Sequence, residues 1–396
     1  MTSKIPWDSA RSSTPAAPAA KHSALTNSAA SSSQPSVAPV EAGSTSSSAE
    51  KKRSVRDPIL ILTIVGLLFS TGCYYGHLAV GQAKLLWARQ PIEGLLEDSE
   101  TDPELRAKLE LVQHARHFAA ELGLDVGGQY TSFVPWPHDR IVTSIIATEA
   151  GAISPTNFRF PIVGEVPYKG FFDQERAERE ASELRASDMD VCVSAIRAYS
   201  TLGWFDDPLT APMLDTSDAR LVETVIHELV HATAFVSSQP DFNEGVANFI
   251  GEEASVRFFA NPPSGLSDDV PSASDVRTRI DDDRLISRAM MALKQDVEEL
   301  YARDLPREEI DRARAELETN GRAQLKDLPL QIADPERLSK AARINDACLA
   351  IQGTYVADTP KYREVLDGLD GDLLRFIARL DEATKADDPR RAFFKP

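Results

Sequence analysis

The chain has 396 residues, enough for a sizeable core and up to two domains with appendages. Its 43 Lys and Arg against 61 Asp and Glu give a net charge of −18, which argues against general nucleic-acid binding and for an acidic body. Cys73, Cys192 and Cys348 form neither a zinc-finger spacing nor a CxxC redox motif.

Residues 1–57 are rich in Ala, Ser and Pro, and carry seven basic and four acidic residues, a local +3 that leaves −21 on the remainder. So few large apolar side chains cannot offset the entropy of ordering, and this arm is predicted to be disordered. Lys51-Lys52-Arg53 and Arg56 then precede an apolar run from Pro58, and no charged residue occurs between Asp57 and Lys84. A basic cluster before an uncharged apolar run is the positive-inside pattern of a signal or anchor, placing the following body outside the cytoplasmic membrane. Residues 58–75 are long enough for a spanning signal anchor. Alternatively, Leu68-Phe69-Ser70-Thr71-Gly72-Cys73 resembles a lipoprotein signal with Cys73 as the lipidated residue, although Ser70 departs from the usual leucine.

Helices are predicted over Ala79–Leu96 and Asp102–Leu122, the second opening on Asp102-Pro103-Glu104 and ending before Gly123. His114 and His117 in that helix have no carboxylate or cysteine cluster around them and read as a solvated face. Strands follow at Arg140–Ala147, Phe158–Val163 and Asp190–Ile196, with a polar helix over Gln174–Ala186. Cys192 and Cys348 are free to pair in an oxidising compartment or to stay as two buried thiols. Ala198–Pro208 is an aromatic, turn-forming loop that could line a cleft or pack on the next helix.

That next helix, Asp218–Phe235 with Ser217 or Asp218 as N-cap, carries Val225-Ile226-His227-Glu228-Leu229-Val230-His231. Residues at i and i+4 sit one turn apart on the same face, so His227 and His231 can aim at one point about 2 Å away, the Zn–N distance. Glu228 is placed to act as general base. The pattern arises by chance in about one chain of this length in a hundred, so two of only seven histidines at this spacing favour a ligand pair over two surface histidines.

A third ligand is needed if one position is to stay open for water. Residues 237–241 should break the helix, and Val246, Phe249 and Ile250 start another whose return brings Glu244, on its opening turn, beside the histidines. Asn248 and Glu252 follow on the same face, where a partner for a ligand imidazole would sit, and Glu252 is the alternative third ligand. Beyond the Pro/Ser/Asp-rich loop 261–274, charged helices over Arg284–Tyr301 and Arg307–Leu325 suggest an exposed hairpin. Two more helices, Ala341–Ile351 and Tyr362–Leu380, close the body. Tyr199 and Tyr355 are candidates for stabilising a transition state.

His-Glu-x-x-His followed by Asn-Glu-Gly-x-Ala resembles the gluzincin metallopeptidases, whose third zinc ligand is a glutamate of the second helix. More closely, the chain is similar to a bacterial family of predicted zinc aminopeptidases. The similarity is carried by Gly72-Cys73 with the following Gly-His-Leu, Arg89-Gln90-Pro91-Ile92, Phe160–Gly164 with Val166–Gly170, Ala198–Pro208, the histidine helix and Phe242-Asn243-Glu244. It runs from about residue 72 to the C-terminus, with Ile226 and Val230 where the family more often has Phe and Ala. The resemblance implies zinc ligands His227, His231 and Glu244 and base Glu228.

The expectation is a mostly helical α+β fold with a zincin-like metallopeptidase core and a small β-sheet. A peptidase domain over 76–282 is followed by a helical region over 283–396 and preceded by the arm and one anchor. Function is expected to be zinc-dependent hydrolysis of a peptide substrate, as an aminopeptidase or an endopeptidase, in the periplasm of a bacterial cell envelope and without nucleic acid as a partner. A tethered scaffold with a structural metal, binding envelope partners, is the competing class.

Overall fold

In the computed structural model the described residues are 74–160, 164–198, 206–236, 239–266, 270–352 and 358–395. The chain divides into two units, 19–76 and the remainder; of the smaller one only helical residues 74–76 are described. The N-terminal arm and the apolar run as far as Cys73 lie outside the described residues, among which no helix is long and apolar enough to cross a membrane.

The single helix expected over Ala79–Leu96 is instead α1 (74–87), a short strand β1 (Gln90–Pro91) and α2 (Ile92–Glu97). Pro91 explains the break, because proline lacks a backbone donor and disfavours helical geometry in the residue before it. Helix α3 (Pro103–Glu121) is capped by Asp102, whose carboxylate accepts from the Glu104 and Leu105 N–H groups.

Three small sheets follow. Strand β2 (Ser132–Val134) runs antiparallel to β1 and parallel to β8 (Leu209–Thr210). Strand β3 (Val142–Glu149) is central to a second sheet, between β6 (Lys169–Phe171) and β7 (Met189–Ile196), both antiparallel to it, with Ile145 opposite Val193. Thr143–Thr148 of β3 are all buried, with none of the alternation of a half-exposed strand. Strands β4 (Phe158–Phe160) and β5 (Gly164–Val166) pair with each other, so the strand expected over Phe158–Val163 is described only to Phe160. Helix α4 (Gln174–Ala186), bounded as predicted, packs on β3 and β7.

A short α5 (Ala211–Leu214) leads to the two helices at the centre of the body, α6 (Asp218–Thr233) and α7 (Pro240–Ala260). Ser217 caps α6, accepting from the Arg220 N–H at 3.4 Å. Pro240 and Asp241, expected to belong to the break, form the first turn of α7, where proline's missing N–H costs no hydrogen bond. Both helices are buried over most of their length and pack along each other. Gly251 permits the close approach: a Cβ there would lie 2.9 Å from the Glu223 carbonyl oxygen and 3.4 Å from His227 Cβ.

Helix α8 (Ala273–Tyr301) starts earlier than expected, at a capping box formed by Ser272 and Asp275, and passes through 282–283 without interruption. It pairs with α9 (Arg307–Lys326), but the pair is not a wholly solvated hairpin. Ile286, Met290, Leu293 and Val297 of α8 make a second core with Leu325, with Leu338 of α10 (Pro335–Ala341) and with Leu349 of α11 (Asp346–Ala350). Cys192 of β7 and Cys348 of α11 are joined by a disulfide across 156 residues, resolving the two alternatives in favour of pairing. The predicted Tyr362–Leu380 helix is two, α12 (Thr359–Asp367) and α13 (Leu373–Thr384), separated where Asp370 and Gly371 adopt positive φ. Helix α14 (Pro389–Phe394) then returns Phe393 to the main core, 5.6 Å from the Phe242 ring and 5.2 Å from Phe376.

Part of the charged surface of α8 and α12 is laid against α7. Glu253, 3% exposed, is paired with Arg277 at 2.8 Å and with Arg363. Burial opposes its ionisation, but both arginines overcome that and hold its carboxyl at about 2, below its ordinary 4.5. Because the folded-state value is the lower one, the stabilisation is fully present above about pH 4.5 and is lost as pH falls toward 2. With the arginines partly open to solvent, this group should contribute about 2 kcal/mol of that acid-induced loss. Denaturant unfolding at stepped pH should therefore show a shallower acid decline for Glu253→Gln than for the wild type.

Candidate metal centre

The N-terminal end of α7 returns beside the C-terminal half of α6, and three side chains converge there. His227 and His231, 8% and 9% exposed, stand one turn apart with rings 4.8 Å apart and nearly perpendicular. Their Nε2 atoms are 3.1 Å apart. Glu244, in the second turn of α7 rather than its opening turn, places Oε2 3.4 Å from His227 Nε2 and Oε1 3.5 Å from His231 Nε2. An ion with tetrahedral bonds of about 2 Å holds its ligand atoms about 3.3 Å apart, so these separations fit one central cation. Among the described residues this is the one group of three or more His, Cys, Asp or Glu with such convergence.

Two further observations test the fit. Glu244 Oε2 and His231 Nδ1 are buried without a hydrogen-bond partner, and a carboxylate oxygen in that state favours a cation beside it. Two imidazole nitrogens and a carboxylate form a donor set suited to zinc and other first-row divalent ions. The three residues could thus hold a metal ion.

Electrostatics within the group are strong because it is shielded from water. Burial opposes ionisation of Glu244, yet the two histidines overcome it and bring the carboxyl to about 2. Burial would lower His231, but the Glu244 carboxylate, and behind it Glu228, pushes it upward. Glu228, unlike Glu244, is raised: burial lifts it, and the charges of Glu244 and Asp207 add to the rise against the two histidines.

Asp207 and Tyr130 are neighbours that the sequence did not single out for chemistry. Both are buried; the Tyr130 N–H donates to the Asp207 carbonyl at 2.8 Å, and the Asp207 N–H donates to Gln129 Oε1 at 2.7 Å. Tyr130 holds a left-handed φ of 57° after Gly127-Gly128. Burial first, then the charges of Glu228 and Asp207, pushes its hydroxyl well above the ordinary range. For Tyr130 the available signal was a Gly-Gly turn far upstream of the histidines, which says nothing about proximity; Asp207 lies in the loop Ala198–Pro208 expected to line a cleft or pack on the next helix.

The remaining candidates separate cleanly. Glu252, the alternative third donor, lies outside the converging group, accepting from Arg284 at 2.6 and 3.1 Å and from Asn248 Nδ2 at 3.0 Å. His117 pairs with Glu121 on the exposed side of α3, as a solvated face would. Tyr199 and Tyr355 lie outside the described residues.

Residues 73–394 match the family described as "Putative aminopeptidase". The chain belongs to that family. No curated protein and no solved structure matches. The matched span takes in all elements from α1 to α14, and with them His227, Glu228, His231 and Glu244. For this aminopeptidase-family member, the converging geometry predicts about one equivalent of divalent metal per chain after zinc loading. His227→Ala, His231→Ala and Glu244→Ala should each reduce the content below a tenth of that, as measured by elemental analysis after dialysis. Undiminished metal in all three variants would remove the site.

Proposed function

We propose that the chain is a zinc-dependent peptidase of the gluzincin type, an aminopeptidase tethered at a bacterial cell envelope with its catalytic body in the periplasm. The single observation that carries the reading is the convergence of His227 and His231 on α6 with Glu244 on α7, with Glu228 adjacent to the first ligand. His227, His231 and Glu244 would be the protein ligands in a zincin-like core. A zinc ion held there supplies a Lewis acid that polarises a carbonyl and lowers the pKa of water to about 7.

The chain's own residues do the rest. Glu228, kept in a buried position where its proton affinity is raised, takes the proton of the attacking water and delivers it to the leaving amine. The Asp207 charge acts on Glu228, adding to that rise, and Glu228 and Asp207 together act on the buried Tyr130 hydroxyl. A structural metal in a tethered scaffold needs no base, and the buried carboxylate beside the ligands favours an enzyme over that alternative.

Glu228→Gln should retain metal while hydrolysis falls by about 10²–10⁴-fold. A panel of free-amino and amino-blocked peptides decides the substrate class: release of N-terminal residues from the free peptides alone fits an aminopeptidase, and internal cuts in blocked peptides would make it an endopeptidase.

Two features support the envelope assignment: the apolar run behind a basic cluster, and the Cys192–Cys348 disulfide, which belongs in an oxidising compartment. Protease added from the periplasmic side of intact inner-membrane preparations should degrade the body, and a body protected from that side would reject the topology.

A further inference from the structure

The metal ligands come from two helices, so their meeting depends on how far apart α6 and α7 are held. His227 lies on α6 at the point where Gly251 of α7 makes its closest approach, and Glu244 lies two turns earlier on α7. Apolar packing alone permits small sliding and rotation of one helix on the other. A buried layer of charges ties both helices to a third element.

Glu223, one turn before His227, is paired with Arg279 of α8 and lies 3.4 Å from Arg220 on its own helix. Asp283 of α8 takes Arg220 at 2.7 Å and Arg279 at 2.9 Å, closing a four-residue network between α6 and α8. On the next residue of α8, Arg284 holds Glu252 of α7 through Nη2 at 2.6 Å and Nε at 3.1 Å. Glu252 in turn accepts from Asn248, one turn from Glu244. Glu223 and Glu252 are 7% and 2% exposed, so breaking either pair leaves an uncompensated charge in the interior.

We propose that α8 is the clamp of the metal centre, with Arg279 and Arg284 as positioning residues that fix the separation and rotation of α6 and α7. The adjacent pair of Arg277 with Glu253 supplies an internal comparison. Like Arg284 with Glu252 it joins α8 to α7, but the other partner of Glu253 is Arg363 of α12, whereas Glu252 also acts electrostatically on Arg220 of α6 and accepts from Asn248. If the ionic layer served only general stability, the pairs would be interchangeable. In a clamp, only the Arg279 and Arg284 pairs govern metal affinity. The inference rests on the metal-site reading.

The test uses the full chain, purified in detergent, with zinc affinity read by competition against a chromophoric chelator. Helicity and thermal unfolding are read on the metal-free protein. Arg279→Met and Arg284→Met should each raise the zinc Kd about 10–100-fold, the range found when support for a ligand is lost. Arg284→Lys, which keeps the charge and loses the forked contact, should restore part of the affinity and serves if Arg284→Met does not fold. Gly251→Ala perturbs the same contact without touching a charge, since its Cβ must push the two backbones apart, and it should also weaken zinc. Arg277→Met should lower metal-free stability comparably while leaving the zinc Kd within about twofold.

Unchanged zinc affinity in both Arg284 variants would overturn the clamp, as would loss of affinity in Arg277→Met that matches theirs. A wild type that takes up no zinc would sink the site itself, and the clamp with it.

Discussion

The near-contact of α6 and α7 at Gly251 is the constraint on which the rest of the molecule depends. A glycine at that one position lets two buried helices come close enough for histidines on one and a glutamate on the other to share a point in space. Everything packed around the pair can be understood as holding that approach. On one side Phe242 and Phe249 of α7 are set in an aromatic cluster with Tyr362, Phe376 and Phe393, all nearly inaccessible to water. On the other side α8 meets both helices with arginines, and an aspartate completes the network.

These two sides act through different physics. The aromatic cluster is non-directional and drives burial, and its ring contacts favour tilted and edge-on arrangements without fixing the rotation of a helix about its axis. Desolvation offsets part of what the ionic layer contributes to stability, but its hydrogen bonds are directional and penalise misalignment. A metal site needs both: water excluded so that charges interact strongly, and ligand atoms placed to within a fraction of an ångström. The opposed shifts of Glu244, His231 and Glu228 follow from such exclusion, since each group is moved chiefly by burial and by its charged neighbours in the group.

Much of this was legible in the sequence where the signal is local. Spacing of i and i+4 placed His227 and His231 on one face, Asp102 and Ser217 marked helix starts, and β-branched runs located β3 and β7, because each of these depends on a few neighbouring residues. Glu244 was found because the turn between α6 and α7 is short enough to leave few paths. Boundaries failed where one residue competes with a pattern. Pro91 ended a helix that the apolar spacing continued, Asp370 and Gly371 split another, and Pro240 began α7 rather than ending the turn. The charged face of α8 was misread because solvated and buried ion pairs use the same residue types, and only the partner across the interface distinguishes them.

The sequence by itself determined the donor types, their order along two helices and the glutamate beside the first histidine, since these follow from covalent spacing and helical periodicity. Tertiary structure decided what spacing cannot carry. It paired Cys192 with Cys348 across 156 residues, brought Tyr130 and Asp207 toward Glu228, and assigned Glu252 to Arg284 rather than to the cluster of donors. Such contacts join residues far apart in the chain, and their energies depend on burial and distance, which exist only once the helices have packed.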